Sequence, residues 1–346
     1  MDVLADGWQA ASLEQFLGHG PDGHEEVELF SGAPGGGLIF GCRHMPAAGS
    51  STAGVVICAP THSDAGINYH REARLGRWLA RAGVATQRFH YRGTGDSDRL
   101  PSPGITFQTL VDDARQAADL LRERCGVERV GFLGTRVGAL VAAKAAAEVE
   151  GAPLALWQPV IDPRRFVNDS VAVDFGRGAL GPATLPTGFD GPDSDLGPHG
   201  PGAPPIGGVP LSTPGARSTL VDSPLGRDLF DPSVIDNLVD AIGRRPRPVL
   251  VVQLHRRVGL APDYRAAVGR WQARGFPVDV AYDPTEDEWW QVHQGWEPSD
   301  EVLSATSSWL SARLAPRPGD PWPGAAGMPG APGTPGMPGA DGTAGT

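Results

Sequence analysis

The feature that most constrains this chain is a series of short strand-like segments set between helix-length amphipathic ones. Residues 54–59 (GVVICA), 128–133 (ERVGFL), 153–158 (PLALWQ) and 248–254 (PVLVVQL) read as strands. The continuous apolar run at 54–59 suits a strand covered on both faces. Between and after them run helical patterns. Residues 67–82 carry Leu75, Trp78 and Leu79 on one face before Gly83, and 107–124 carry Leu110, Ala114, Ala117, Ala118 and Leu121. An alanine-rich segment covers 138–149, and further helices are predicted over 262–274 and 300–314. Residues 84–89 and 278–282 read as additional strands, and 26–30 with 37–42 as an antiparallel hairpin around SGAPGG. The alternation predicts an α/β architecture: a mostly parallel twisted sheet with an N-terminal antiparallel hairpin, helices on both faces and right-handed crossovers.

Glycine and proline, 48 and 34 of 346 residues, are concentrated in two places. Residues 174–217 lack periodicity and read as a flexible insertion, and 316–346 as a tail. From Gly324 onward every third residue of that tail is glycine, a collagen-like period. The tail reads as a disordered Gly/Pro segment or, alternatively, as an oligomerising one. The expected organisation is therefore an N-terminal segment (1–24), one domain (25–315) interrupted by the insertion, and the tail.

A net charge of −11 argues against nucleic acid or an anionic membrane as partner. There is no leader-like opening and no apolar run long enough to span a bilayer, so a cytoplasmic location is expected. Cys42, Cys58 and Cys125 show no metal spacing and read as buried, inert thiols. The nine histidines lack paired helical spacing, and no phosphate-binding glycine loop opens a helix, so no metal and no cofactor is expected.

Strand 128–133 leads through Gly134-Thr135-Arg136-Val137-Gly138 into a helix. A Gly-x-Ser-x-Gly turn in that context is the elbow that presents a nucleophilic serine. Here the apex is Arg136, a permanently protonated group with no lone pair to attack a carbonyl. Thr135 stands beside the apex, and its side chain is expected to point elsewhere.

The stretches ELFSGAPGGGLIFGCRHMP, VVICAPTHSD, YHREARLGRWLARAG, RFHYRGTGDSD, VGFLGTRVGALVA, LALWQPVID and WWQVHQGWEPSDEVLSATSSWL resemble the α/β-hydrolase superfamily. More narrowly, they are similar to the exosortase-system-associated hydrolases and their actinobacterial relatives, in which a Gly-x-Arg-x-Gly elbow recurs. The resemblance implies an α/β-hydrolase fold and an accessory role in an envelope or biosynthetic pathway. It also implies where an acid and a base would stand. The acid position reads Leu254-His255-Arg256-Arg257, and the base region reads Tyr282 to Trp290, with His293 just beyond. His90 replaces the acid that relatives carry before Tyr91-Arg92-Gly93, which leaves open the hydrogen bond such an acid would make.

Arg136 opens a helix, whose positive end disfavours a cation by a few tenths to about 1 kcal/mol. Together with N–H donors around Thr61 and Val137 it would form an electropositive site for a carboxylate, phosphate or sulfate group. The competing reading pairs Arg136 with a local acid such as Asp64, Asp162, Asp283 or Glu286, which would plug the pocket. His62 and Asp64, in the loop after the first parallel strand, lie at the ligand-facing edge of the sheet. With His255 and His293 they could assemble a rearranged acid/base cluster, and Arg256 is a further ligand-binding candidate. The leading expectation is a catalytically degenerate hydrolase-fold protein that binds a small anionic ligand. The rivals are an active hydrolase or acyl-transfer enzyme with a rearranged site, and an assembly protein organised by the tail.

Overall fold

In a computed structural model, residues 23–31, 37–61, 63–98, 104–170, 220, 223–254, 259–283 and 300–315 are described. The strands are β1 (His24–Ser31), β2 (Leu38–Met45), β3 (Ala53–Cys58), β4 (Ala85–Phe89), β5 (Arg129–Thr135), β6 (Leu154–Trp157), β7 (Val249–Leu254) and β8 (Val278–Asp283). The helices are α1 (Ser63–Arg81), α2 (Phe107–Cys125), α3 (Val137–Ala146), α4 (163–170), α5 (Pro224–Phe230), α6 (Leu238–Ala241), α7 (Pro262–Ala273) and α8 (Asp300–Leu314).

One eight-stranded sheet runs in the order β1-β2-β4-β3-β5-β6-β7-β8. β2 is antiparallel to both β1 and β4, and every other pair is parallel. This is the α/β architecture with an N-terminal hairpin that the residue pattern predicts. The run at 54–59, read as a doubly covered strand, is so in β3, and β5, β6 and β7 are almost wholly buried as well. Side chains alternate between two cores. Val56, Phe132 and Leu156 face the layer of α2, α3 and α7, whereas Ile57, Leu133 and Trp157 face α1 and α8. The strand order reverses beside β3, with β4 on one side and β5 on the other. Loops leaving the carboxyl ends of β3 and β5 therefore diverge and open a crevice there.

One reading needs correction, and three short helices, α4, α5 and α6, lie between β6 and β7 where none was predicted. α4 and α5 start with proline just after a capping residue: the backbone N–H groups of Arg164 and Arg165 donate to Asp162 Oδ1, and Gly226 N–H donates to Ser223 Oγ. These are ordinary start signals. Asp64 belongs to the first turn of α1 rather than to a loop.

The Tyr91-to-Ser97 segment is structural. Arg92 donates from its backbone N–H (2.8 Å) and its Nε (2.6 Å) to the fully buried Asp113 carboxylate of α2. Ser97 Oγ accepts from Phe40 N–H, and Asp98 Oδ2 accepts from Leu38 N–H, which ties the segment to β2. At His90, Nδ1 accepts the N–H of Asp96 at 3.1 Å, so a neutral imidazole supplies an acceptor to this loop. Burial, the largest influence on His90, lowers its pKa and favours that neutral form.

Candidate functional site

The turn between β5 and α3 is built as a nucleophile elbow in everything but its apex. Arg136 has φ 55° and ψ −120°, outside the regions a residue with a Cβ prefers. Its backbone is fixed from three sides: its N–H donates to Trp157 O (3.1 Å), and its carbonyl accepts from Ala139 (3.0 Å) and Val160 (3.3 Å). The flanking glycines make the bend sterically feasible. A Cβ on Gly134 would lie 2.3 Å from Gly138 O, and one on Gly138 would lie 2.1 Å from Cys58 O. Only bare backbone lets the start of α3 press against the end of β3. Among the described residues, Arg136 and Gln158 are the two non-glycine residues with positive φ. Both stand at the carboxyl ends of neighbouring strands, so backbone strain collects at this edge of the sheet.

Side chains from three elements meet there. The Arg136 guanidinium lies 5.3 Å from the Phe166 ring centroid on α4, a cation–π contact. The buried phenol of Tyr264, in the first turn of α7, is close enough for the charge on Arg136 to lower its pKa, against the larger upward effect of burial. The first N–H groups of α3, beginning with Val137, have no acceptor within their own helix. Ala59 O lies 2.5 Å from the Cβ position of Gly138 and accepts from Tyr91 Oη at 3.1 Å. The loop that continues through the buried Thr61 thus abuts the elbow. Arg136 and Val137 at the elbow and Thr61 in the loop after β3 therefore lie at the same carboxyl edge of the sheet.

The remaining candidates are not brought into this picture. His62, His255, Arg256, His293 and Glu286 lie outside the described residues, and so do the side chains of Asp64 and Asp283. Asp162 caps α4 instead of reaching into the crevice. The loop after β7 is anchored at its ends by two amides that the sequence did not single out. Gln158 Oε1 accepts from Leu254 N–H at 2.8 Å, and Gln253 accepts from Ala261 N–H and donates to Gly259 O. Thr135 is buried at the end of β5, and its Oγ1 makes no hydrogen bond among the described residues. All three cysteines are free thiols. Among the described residues no group of three His, Cys, Asp or Glu side chains converges to hold a metal, and no helix is long and apolar enough to cross a membrane.

Comparison with known proteins supports an α/β-hydrolase fold. Residues 53–173 match a family model described as serine aminopeptidase, S33. An esterase of Pyrococcus furiosus superposes with a TM-score of 0.54 at 14% identity, over 84% of this chain and 91% of the other. A hypothetical protein of Pseudomonas aeruginosa gives 0.54 at 14%, over 85% and 95%. An esterase of Pyrobaculum calidifontis gives 0.51 at 17%, over 84% and 86%. No curated protein matches the sequence.

Proposed function

For a chain with the α/β-hydrolase fold and a guanidinium at its elbow apex, we propose a catalytically degenerate role: binding a small anionic ligand rather than hydrolysing one. The observation that carries the reading is Arg136 itself, held at φ 55° on a turn whose glycines and backbone bonds all fit the presentation of a reactive side chain. An arginine there can donate two parallel hydrogen bonds but cannot attack. The N–H groups at the start of α3 add a second set of donors to the same anion. Phe166 holds one face of the guanidinium and limits its swing. A carboxylate, phosphate or sulfate group satisfies this donor set.

The accessory role in a biosynthetic or cell-envelope pathway, and with it a cytoplasmic location, rests on the sequence resemblance to exosortase-associated relatives. A second reading, an active hydrolase or acyl-transfer enzyme with a displaced His/Asp site, draws on the esterase neighbours and the aminopeptidase family match.

One experiment separates the two. The protein is titrated with benzoate and inorganic phosphate, and in parallel treated with a fluorophosphonate probe and a panel of activated esters. The expected result is saturable anion binding that weakens roughly 10- to 150-fold in Arg136→Ser, the effect of losing hydrogen bonds from a charged donor worth about 1.5–3 kcal/mol, with no covalent labelling. Anion binding unchanged by the substitution would refute the proposal. Labelling with saturable ester turnover would establish the second reading.

A further inference from the structure

Gln158, the residue that shares the positive φ of Arg136, directly follows β6, the strand beside the elbow. Local chemistry pushes it the other way. It carries a Cβ, and Pro159 follows it, which favours extended backbone with a φ of about −120° in the residue before. A φ of 43° at this position is therefore held from outside. Two hydrogen bonds hold it. The Gln158 N–H donates to Val252 O at 2.8 Å, and its side-chain Oε1 accepts from the Leu254 N–H at 2.8 Å. Both partners belong to β7, the next strand of the sheet, and Gln158 is buried. The backbone and the side chain of one residue are thus fastened to alternate residues of one strand.

The reversal at Gln158 brings the chain back over the elbow. Trp157, just before it, accepts the Arg136 N–H at 3.1 Å, and Val160, two residues after it, donates to the Arg136 carbonyl at 3.3 Å. Residues 157–160 therefore grip Arg136 by its N–H and by its carbonyl, with Gln158 at the bend. The same stretch continues through Ile161, whose carbonyl accepts from Leu238 N–H of α6 at 2.9 Å, into α4. There the Phe166 ring lies 5.3 Å from the Arg136 guanidinium. Extended backbone at Gln158 would carry Val160 and Phe166 away from Arg136, and the strained apex would lose the contacts that hold it.

We propose that Gln158 is the positioning residue of the Arg136 site: by accepting from Leu254, its side-chain amide holds the reversed backbone that sets where the guanidinium stands. This rests on the ligand reading above for what Arg136 grips, but not for how Arg136 is placed. Gln158 acts through Val160 and Phe166 rather than on the anion. An anion docking on Arg136 then meets a guanidinium already fixed to β6 and β7, and less ordering is left for binding to impose.

The test compares Gln158→Ala with Gln158→Gly. Both delete the amide and leave nearly the same space, but only alanine keeps the Cβ that resists a positive φ. Loss of a hydrogen bond of ordinary net strength should weaken benzoate binding roughly 3- to 10-fold in Gln158→Ala. Gln158→Gly should bind more tightly than Gln158→Ala, because glycine takes up the reversed backbone without the amide. A role limited to stapling β6 to β7 predicts no such recovery, since both variants lose the staple and glycine leaves the looser chain. Amide exchange reads the same contrast without a ligand. Leu254 should exchange faster in both variants, having lost its acceptor. Val160 and Arg136 should exchange faster in Gln158→Ala than in Gln158→Gly, with Val56 of β3 as the reference for global opening. Equal rates at Val160, or a faster one in the glycine variant, overturn the proposal. Should either variant not fold, the wild type decides: benzoate should shift the nitrogen-15 amide signals of Val160 and Leu254 along with that of Val137, and a titration that moves Val137 alone overturns the proposal. Benzoate bound by none of the proteins, with the Val160 contrast intact, defeats the ligand reading and leaves the placement of Arg136 by Gln158 standing. Benzoate bound by both variants as tightly as by wild type overturns the role of Gln158 and leaves the ligand reading intact.

Discussion

At the scale of single residues, the most informative quantity is the backbone of Arg136. Its φ of 55° and ψ of −120° belong to a conformation that costs a residue with a Cβ about 1–3 kcal/mol. The cost can be isolated from the guanidinium by comparing two truncations. Arg136→Ala and Arg136→Gly both lose the contact with Phe166, but only alanine keeps the Cβ. Glycine loses more chain entropy on folding, by roughly 0.5–1 kcal/mol, and relief of the strain outweighs that loss. The glycine variant is therefore expected to be the more stable of the two by about 1 kcal/mol in denaturant unfolding. An alanine variant as stable as the glycine one would mean that the turn is relaxed. The apex was legible in the sequence because glycines at 134 and 138 flank it between a strand and a helix. Gln158 was not, since nothing in Trp157-Gln158-Pro159 announces a positive φ; that conformation is imposed when Gln158 Oε1 reaches across to Leu254 N–H.

At the scale of elements, two glycines with opposite consequences show how closely α3 is packed. A methyl group on Gly138 meets Cys58 O at 2.1 Å and Ala59 O at 2.5 Å, both backbone atoms that cannot yield. Gly138→Ala is expected to cost about 3 kcal/mol or more, the upper end for overpacking, and to move the elbow away from the loop that carries Thr61. Gly269 sits exposed within α7 and would bring a methyl group near nothing within 4 Å. Gly269→Ala should therefore stabilise by about 0.5–1 kcal/mol, through helix propensity and a less flexible unfolded chain. Thermal unfolding of the two variants checks both signs. α1 shows what element-level reading misses. The sequence placed its buried face on Leu75, Trp78 and Leu79, but the stripe continues backward through Glu72 and Asn68, polar residues that look like a solvated surface. The spacing carried the signal and the residue types hid it, because the carboxyl end of a parallel sheet is where polar groups are buried. α4 and α5 were missed for another reason: each is short and lies in a proline-rich stretch, so only the Asp162-Pro163 and Ser223-Pro224 pairs announce them.

For the molecule as a whole, topology puts the candidate site on its most deeply buried framework. β3, β5, β6 and β7 are covered on both faces, and Arg136 rises from the end of β5, between β3 and β6 in the sheet. The edges differ. Leu29 of β1 and Val280 and Tyr282 of β8 are exposed, and each of these strands has one hydrogen-bonded neighbour. Part of this contrast was legible beforehand, since an unbroken apolar run marks β3 and alternation marks the hairpin. Amide exchange should then divide the sheet in two. Val55, Val56, Leu133, Leu156 and Val251 should exchange only when the whole domain opens, whereas the amides of β1 and β8 should exchange through smaller local openings. Added benzoate or phosphate should slow exchange at Val137 and Gly138 and leave the inner strands as they were, because a ligand that docks on a preformed turn has no need to order the strands beneath it. If the inner strands gained protection along with the elbow, binding would involve folding of the sheet, and a rigid donor set at the head of α3 would be the wrong picture of how this protein takes hold of an anion.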